Sequence, residues 1–294
     1  MVTRLVLLFL PLLISAQGRI EEQRKYVPTN EIELPVRPFD VAGLSFVPHE
    51  TYRALDIYFH DTRGSLVGSG LGLRLRKVVK GERPAEYVLQ IKSEMSAPGA
   101  ARMEEEERNL GIQSIEGVRL VDILDRIDRD KKISALDERL LVSWAERKEF
   151  SSLAPFQELR RRGIRSKNLR PAVMGESLRQ RYHVVFDRSK TVSPLLLLAD
   201  SEKDLAKVPT AVKARTDWVW LMEASWDRSR FFRVDGTGPE FRIQELEVEN
   251  KFRPREVGTK VMNQLELELM QRFDLKPGRE SKFLRAYNHL REEP

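Results

Sequence analysis

Residues 241–251 read FRIQELEVENK, with Glu245, Glu247 and Glu249 alternating with Leu246, Val248 and Asn250. In a strand, residues two apart share a face, so three carboxylates project from one side about 6.7 Å apart. In a helix the same positions scatter around the axis, so the alternation predicts a strand. In water, neighbours at that spacing repel by roughly 0.6 kcal/mol; in a partly enclosed site of effective dielectric near 20 the figure is about 2.5 kcal/mol. An enclosed version of this strand therefore needs cations opposite it, whereas a bare one is a solvated edge. The rest of the chain decides between the two.

Basic strands precede it. Leu71–Val79 (LGLRLRKVV) places Arg74 and Arg76 on one face and Leu73 and Leu75 on the other. Glu86–Ser93 (EYVLQIKS) does the same with Gln90 and Lys92. Residues 101–110 (ARMEEEERNL) put Arg102, Glu104 and Glu106 on one parity if the segment is a strand, although the glutamate run equally fits a solvated helical turn. Residues 178–187 (LRQRYHVVFD) give Arg179 and Arg181 a common face, and Trp218–Arg233 alternates Glu223, Ser225 and Asp227. Residues 31–36 (EIELPV) open an alternating segment with Glu31 and Glu33, and Pro35 confines that strand to an edge or an end.

Between these strands the period changes. Leu120, Ile123, Leu124 and Ile127, then Leu136, Leu140 and Leu141, recur at three and four, which predicts a helical insert around 115–165. Residues 257–273 predict an amphipathic helix with Val261, Leu265, Leu267, Met270 and Phe273 on its apolar face. Strands recur at hairpin spacing with no βα alternation, so the expected class is α+β, an antiparallel sheet or closed barrel with helices packed outside. Charged faces on many strands, each backed by an apolar face, suit a barrel whose charges point into the lumen.

Composition agrees with a charge-lined interior. The 294 residues carry 51 basic and 45 acidic side chains, and a net charge of +6 is not that of a nucleic-acid-binding tail. Residues 1–16 read as a secretory signal, with Arg4 ahead of the apolar run LVLLFLPLLI, which is too short for a span of about 20 residues. Export to a periplasm or the exterior follows, with residues 17–30 as a linker and no stable membrane span after cleavage. The absence of cysteine excludes disulfides and thiolate metal sites. No GxxxxGK[ST], HExxH or GxSxG motif occurs, and the four histidines (His49, His60, His183, His289) are scattered.

The order of these pieces resembles the CYTH domain, or triphosphate tunnel metalloenzymes, a superfamily that includes thermophilic-type adenylate cyclases and thiamine and inorganic triphosphatases. EIELP resembles the opening ExExK, with Pro35 in the place of the lysine. YFHDTRGSLVGSGLGLRLRK resembles the segment leading into the RxR strand, YVLQIKS the strand ending in lysine, and ARMEEEE the RxExE strand. LRQRYHVVFD resembles the later arginine strand, ASWDRSRF the strand aspartate (Asp227, with Asp187 as rival), IQELEVENK the ExExE strand, and ESKF the terminal serine–lysine pair.

The resemblance covers about residues 31–290 and implies an eight-stranded antiparallel tunnel. It implies a triphosphate or polyphosphate ligand held by Arg74, Arg76, Lys92, Arg179, Arg181 and Lys282, and Mg²⁺ or Mn²⁺ held by Glu31, Glu33, Asp227, Glu245, Glu247 and Glu249. Glu31, Glu33 and Lys92 take catalytic roles in that expectation, and the expected activity is metal-dependent phosphohydrolysis. The alternatives are a non-catalytic polyphosphate-binding envelope protein, which Pro35 favours, and a nucleotidyl or polyphosphate transferase.

Overall fold

The computed structural model describes residues 19–21, 23–33, 35–93, 102–109, 114–115, 118–147, 153–189, 210–215, 217–251, 255–278 and 280–292. In chain order the strands are β1 (Arg19–Glu21), β2 (Gln23–Pro28), β3 (Phe39–Val41), β4 (Leu44–Asp61), β5 (Leu71–Val79), β6 (Glu86–Ser93), β7 (Arg102–Asn109), β8 (Ser114–Ile115), β9 (Val118–Arg119), β10 (Leu169–Asp187), β11 (Trp218–Arg233), β12 (Phe241–Asn250) and β13 (Leu275–Pro277). The helices are α1 (Ser65–Gly68), α2 (Leu120–Asp130), α3 (Ala135–Glu146), α4 (Ala154–Arg161), α5 (Thr210–Lys213), α6 (Arg255–Arg272) and α7 (Lys282–Glu292). For β1, β7 and the last two residues of β6, only the backbone is described.

All strands but the β8–β9 pair join one antiparallel sheet in the order β1-β7-β6-β5-β4-β10-β11-β12-β2-β13, with β3 paired to β4. This path does not close on itself by a ladder. Its two far sides are nevertheless held by neighbouring pieces of chain. β1 pairs with β7, Arg19 opposite Glu104, while β2 pairs with β12, Lys25 opposite Glu247. Only position 22 separates β1 from β2 in the sequence. The seven strands from β7 to β12, together with the split β1/β2 segment, make the eight walls of a tunnel-like α+β fold.

Register decides which side chains face the lumen, because directly paired residues share a face. One continuous row runs Arg76, Asp56, Gly175, and the neighbouring rows run Tyr52, Arg179, Asp227, Glu245 and Glu50, Arg181, Ser225, Glu247, Lys25. The intervening residues turn outward into two hydrophobic cores. The first packs Leu73, Leu75, Leu89 and Ile91 against Ile123, Leu124, Leu141 and Trp144 of the helical insert. The second packs Tyr182, Val184, Trp226 and Leu246 against Val261, Met262, Leu265 and Leu269 of α6. Burying each such side chain is worth about 1.5–3 kcal/mol, so the outer faces anchor the sheet and leave the inner face to carry charge.

Four expectations are corrected. Residues 17–30 contain β1 and β2 rather than only a linker. The described residues of 31–36 form no strand, and Glu31 and Glu33 are exposed. In the amphipathic helix Leu267 faces solvent at 66 % exposure, while Met262 and Leu269 occupy the core. Leu136, expected on a helical apolar face, is also exposed. Residues 1–16 and 190–209 lie outside the described residues.

A hairpin around residues 235–239 joins β11 to β12, with Phe231 opposite Phe241. Its turn needs the left-handed backbone of Gly236 (φ 73°) and Gly238 (φ 80°), conformations that cost little only without a Cβ. One end of the lumen is filled by α7. Phe283, Ala286, Tyr287 and Leu290 pack against Tyr58, Val173, Phe231 and Ile243.

Candidate active site

The lumen next to α7 holds a cavity of about 80 Å³. Its walls bring together Lys25 from β2, Asp56 and Tyr58 from β4, Arg74 and Arg76 from β5, Ser177 and Arg179 from β10, Glu247 from β12, and Ser281 and Lys282 at the start of α7. Five cationic side chains thus face two carboxylates. Two further carboxylates, Asp227 and Glu245, stand directly behind this wall.

The cations are held by a layer of buried acids. Arg76 grips Asp56 with two parallel bonds, Nε to Oδ1 at 2.6 Å and a terminal nitrogen to Oδ2 at 2.7 Å. Burial alone pushes the Asp56 carboxyl up, but Arg76 and Arg74 outweigh it and hold the group at about 2. Arg74 donates to Gln90 at 2.7 Å and lies 3.7 Å from Asp56, which leaves its guanidinium at the cavity wall. Arg179 donates to Asp227 at 2.5 Å and reaches Glu247 at 3.1 Å.

Lys282 joins that group from the helix. It pairs with Asp227 and stands 3.3 Å from Glu245 and 3.6 Å from Glu247. Burial alone pushes the Lys282 ammonium down, but the carboxylates of Asp227, Glu247 and Glu245 raise it well above its ordinary value, so it stays charged. Burial pushes Glu245 above the usual carboxylate range despite its cationic neighbours, while Arg179 and Lys282 pull Asp227 below it against its own burial. Arg285, three residues after Lys282 on the same face of α7, closes the group through Glu245.

The predicted site residues divide by position. Arg74, Arg76, Arg179, Lys282 and Glu247 meet at the cavity, with Asp227 and Glu245 directly behind it. Arg181 lies further along the same face, held by Glu223 at 2.8 Å and by Glu50 at 3.2 Å. Glu249 pairs with Lys251. Asp187 accepts from Ser189 at the end of β10, so Asp227 is the strand aspartate that faces the arginines. Lys92 stands opposite Glu104 in the ladder, which places both strand positions on the lumen face, but the side chains of Lys92, Arg102, Glu104 and Glu106 lie outside the described residues.

Glu31 and Glu33 are not in the tunnel. Glu31 is on an exposed loop, 3.8 Å from Arg228, and Glu33 is exposed on the same loop. The residue found in the corresponding place is Lys25. Residues 21–25 read EEQRK and hold the E-x-E-x-K spacing with Gln23 in its second place. That substitution, together with the more regular acidic alternation of EIEL, hid the true first strand. Asp56 and Arg285 were also missed. Asp56 alternates with Tyr58 in a β-rich run, and Arg285 follows Lys282 at helical spacing, so both carried a usable signal.

Divalent cations of the Mg²⁺ class take oxygen ligands, and β12 offers three on one face. Among the described residues, however, no three His, Asp or Glu groups converge on a point that could hold an ion. Glu245, Glu247, Glu249 and Asp227 are each engaged by a lysine or arginine. A resident metal centre built of protein ligands alone does not fit these residues. A cation arriving with a phosphate chain, and taking Glu247 as a further ligand, does.

No known family profile matches the chain, and no curated protein matches it in sequence. Several solved structures are similar in shape. A Pyrococcus horikoshii protein is 13 % identical, with 92 % of this chain and 99 % of that one covered, at a TM-score of 0.46. A candidate adenylyl cyclase from Hippeastrum, described as having a dominant triphosphatase activity, is 13 % identical over 92 % of this chain and 95 % of its own, also at 0.46. A candidate adenylate cyclase from Bacillus halodurans is 14 % identical over 92 % and 98 %, at 0.45.

Proposed function

We propose that the tunnel is a triphosphate site of the CYTH type, and that the chain hydrolyses inorganic triphosphate or the end of a short polyphosphate. One observation carries this reading: Lys25, Arg74, Arg76, Arg179 and Lys282, from three strands and a helix, converge on one enclosed cavity. Guanidinium forks and ammonium groups are the donors that phosphate oxygens take. The buried carboxylates behind them fix their directions, so little rearrangement accompanies binding.

In this reading Arg74 and Arg179 hold phosphate oxygens from either side of β4 while Lys25 and Lys282 neutralise the chain end. Glu247 faces the same space and orients the attacking water. The oxygen of that water bonds to the terminal phosphorus, the bridging oxygen leaves with the shortened chain, and the displaced proton passes to solvent. Mg²⁺ or Mn²⁺ bound together with the phosphates would take Glu247 as a ligand and would supply Lewis-acid polarisation of the phosphoryl group. The fit to an inorganic chain agrees with the export expected from residues 1–16, since nucleotides are scarce outside the cytoplasm.

The test is phosphate release by purified protein from tripolyphosphate, pyrophosphate and ATP, each with and without Mg²⁺ or Mn²⁺. Cation-dependent release from tripolyphosphate is expected, and its loss in Glu247→Gln with folding retained. Tight tripolyphosphate binding without turnover would replace the hydrolase with a binding protein of the envelope. Neither binding nor turnover would refute the tunnel site.

A further inference from the structure

Two of the four scattered histidines meet in the fold. The rings of His49 on β4 and His183 on β10 stack in parallel, with centroids 3.8 Å apart and planes 4° from each other. A bulge makes this possible. Arg181 pairs with Glu50 and Tyr182 with Pro48, so His49 is the extra residue, free of the ladder and re-aimed by it. His183 is buried, and its Nδ1 has no hydrogen-bond partner among the described residues. His49 is exposed. Trp220 meets the His183 ring edge to face, with centroids 6.0 Å apart.

The stack belongs to the tunnel wall. His183 shares the strand face of Arg179 and Arg181, whereas Tyr182 and Val184 point into the outer core. His183 stands opposite Glu223, and Glu223 is the carboxylate that holds Arg181 at 2.8 Å. The charges that face the pair are Glu50 on β4, Arg181 on β10 and Glu223 on β11. Beyond them, Glu249 of β12 stands opposite Glu223 and pairs with Lys251, and Lys80 after β5 stands 3.7 Å from Glu50 and 3.4 Å from Glu86 of β6. Each of these cations has a carboxylate, so the group is balanced while both imidazoles are neutral.

Two rings this close repel if both carry a proton. Burial, then the facing His49, hold His183 at about 4, so the neutral stack is complete above the ordinary imidazole value of 6.5 and is lost as pH falls toward 4. A ring that charges is attracted by Glu223 and Glu50, the two carboxylates that hold Arg181. It therefore competes with the guanidinium for them.

We propose that His49 and His183 form a proton-operated release for Arg181: charging the pair draws Glu223 and Glu50 away and frees the guanidinium for the phosphate chain in the tunnel. The identity of that anion rests on the tunnel reading above. Arg181 lies one strand step, about 6.7 Å, past Arg179, so a chain held at Arg179 extends to it. Binding then takes up a proton from solvent, and acid strengthens binding.

The experiment is calorimetric titration of the full chain with tripolyphosphate at neutral and mildly acidic pH, in buffers of different ionisation heat. His49→Phe keeps a stacking ring that cannot take a proton, and His49→Lys carries the charge at every pH. Residue 49 is exposed, so neither variant empties the core. The ligand's own protonation is common to all the proteins and cancels in the comparison. Wild type is expected to take up a proton on binding and to gain about tenfold in affinity over His49→Phe on acidification. His49→Lys is expected to bind at neutral pH as tightly as wild type does in acid, and Arg181→Gln to remove the acid gain. An equal acid response in wild type and His49→Phe overturns the proposal, as does a gain that survives Arg181→Gln. Failure of the tunnel reading is distinct: Arg74→Gln would then leave tripolyphosphate affinity unchanged at neutral pH, where the stack is uncharged.

Discussion

Asp227, 1 % exposed on β11, accepts a hydrogen bond from Arg179 on β10 at 2.5 Å and is also gripped by Lys282 from α7. This one carboxylate links the strand wall to the helix that fills the end of the lumen, across 55 residues of sequence. Removing one member of a buried pair leaves uncompensated charge and costs about 3–5 kcal/mol. Asp227→Asn is therefore expected to lower the unfolding free energy measured in urea by an amount in that range. A loss below about 1 kcal/mol would mean that the pair does not organise the site.

Acid should loosen the β4–β5 side of the tunnel. The folded Asp56 group titrates at about 2, below its ordinary value of 3.8. A depressed carboxyl contributes stability that is complete above the unfolded value and disappears as pH falls through the folded one. The window is therefore between about pH 4 and pH 2, and the contribution is about 2 kcal/mol. Unfolding free energy measured across that window should fall more steeply for wild type than for Asp56→Asn. Parallel curves would contradict the Arg76–Asp56 account.

The relocation of the first strand gives a direct contrast. Glu31→Gln and Glu33→Gln alter exposed loop residues and should change stability by less than about 0.5 kcal/mol, with tripolyphosphate affinity unchanged. Lys25→Gln removes a charged donor at the cavity wall and should weaken that affinity by about 10- to 100-fold, equivalent to a charge-assisted bond of about 1.5–3 kcal/mol. Calorimetric titration of the three variants settles the order, and a larger effect at Glu31 than at Lys25 would reverse the assignment.

A glycine on β10 lets the Phe231 ring pack directly against the backbone. A Cβ added at Gly175 would lie 2.7 Å from the Phe231 ring, closer than carbon atoms approach without displacement. Gly175→Ala should cost about 1–3 kcal/mol through overpacking. Phe231→Leu in the same chain should recover part of that loss, because the ring is the obstruction. Additive losses in the double variant would place the strain elsewhere.

Much of this was legible in the sequence because both periodicities are local. The alternation of Arg74 with Leu75, and of Glu247 with Val248, fixes which side chains face the lumen without any knowledge of partners. The three- and four-residue spacing of Ile123, Leu124 and Ile127 places the insert on the outer face in the same way. Pairing is not local. Lys25 could be recognised only once Glu247 stood opposite it across more than two hundred residues. Until then EIEL, with two glutamates in alternation, was the better match to an acidic strand than EEQRK. Its failure has a physical cause: Gln244 of β12 bonds both the amide and the carbonyl of Ile32 at 2.9 Å, pinning that loop outside the ladder with no strand register.

The central claim is that the convergent cations form a site for a phosphate chain, and titration calorimetry with tripolyphosphate tests it most directly. Wild type is expected to bind one tripolyphosphate, and Arg74→Gln, which faces the cavity from the wall opposite Glu247, is expected to weaken that binding by about 10- to 100-fold in protein that still unfolds cooperatively. Equal affinity in the two proteins, or no heat of binding in wild type, would contradict the account.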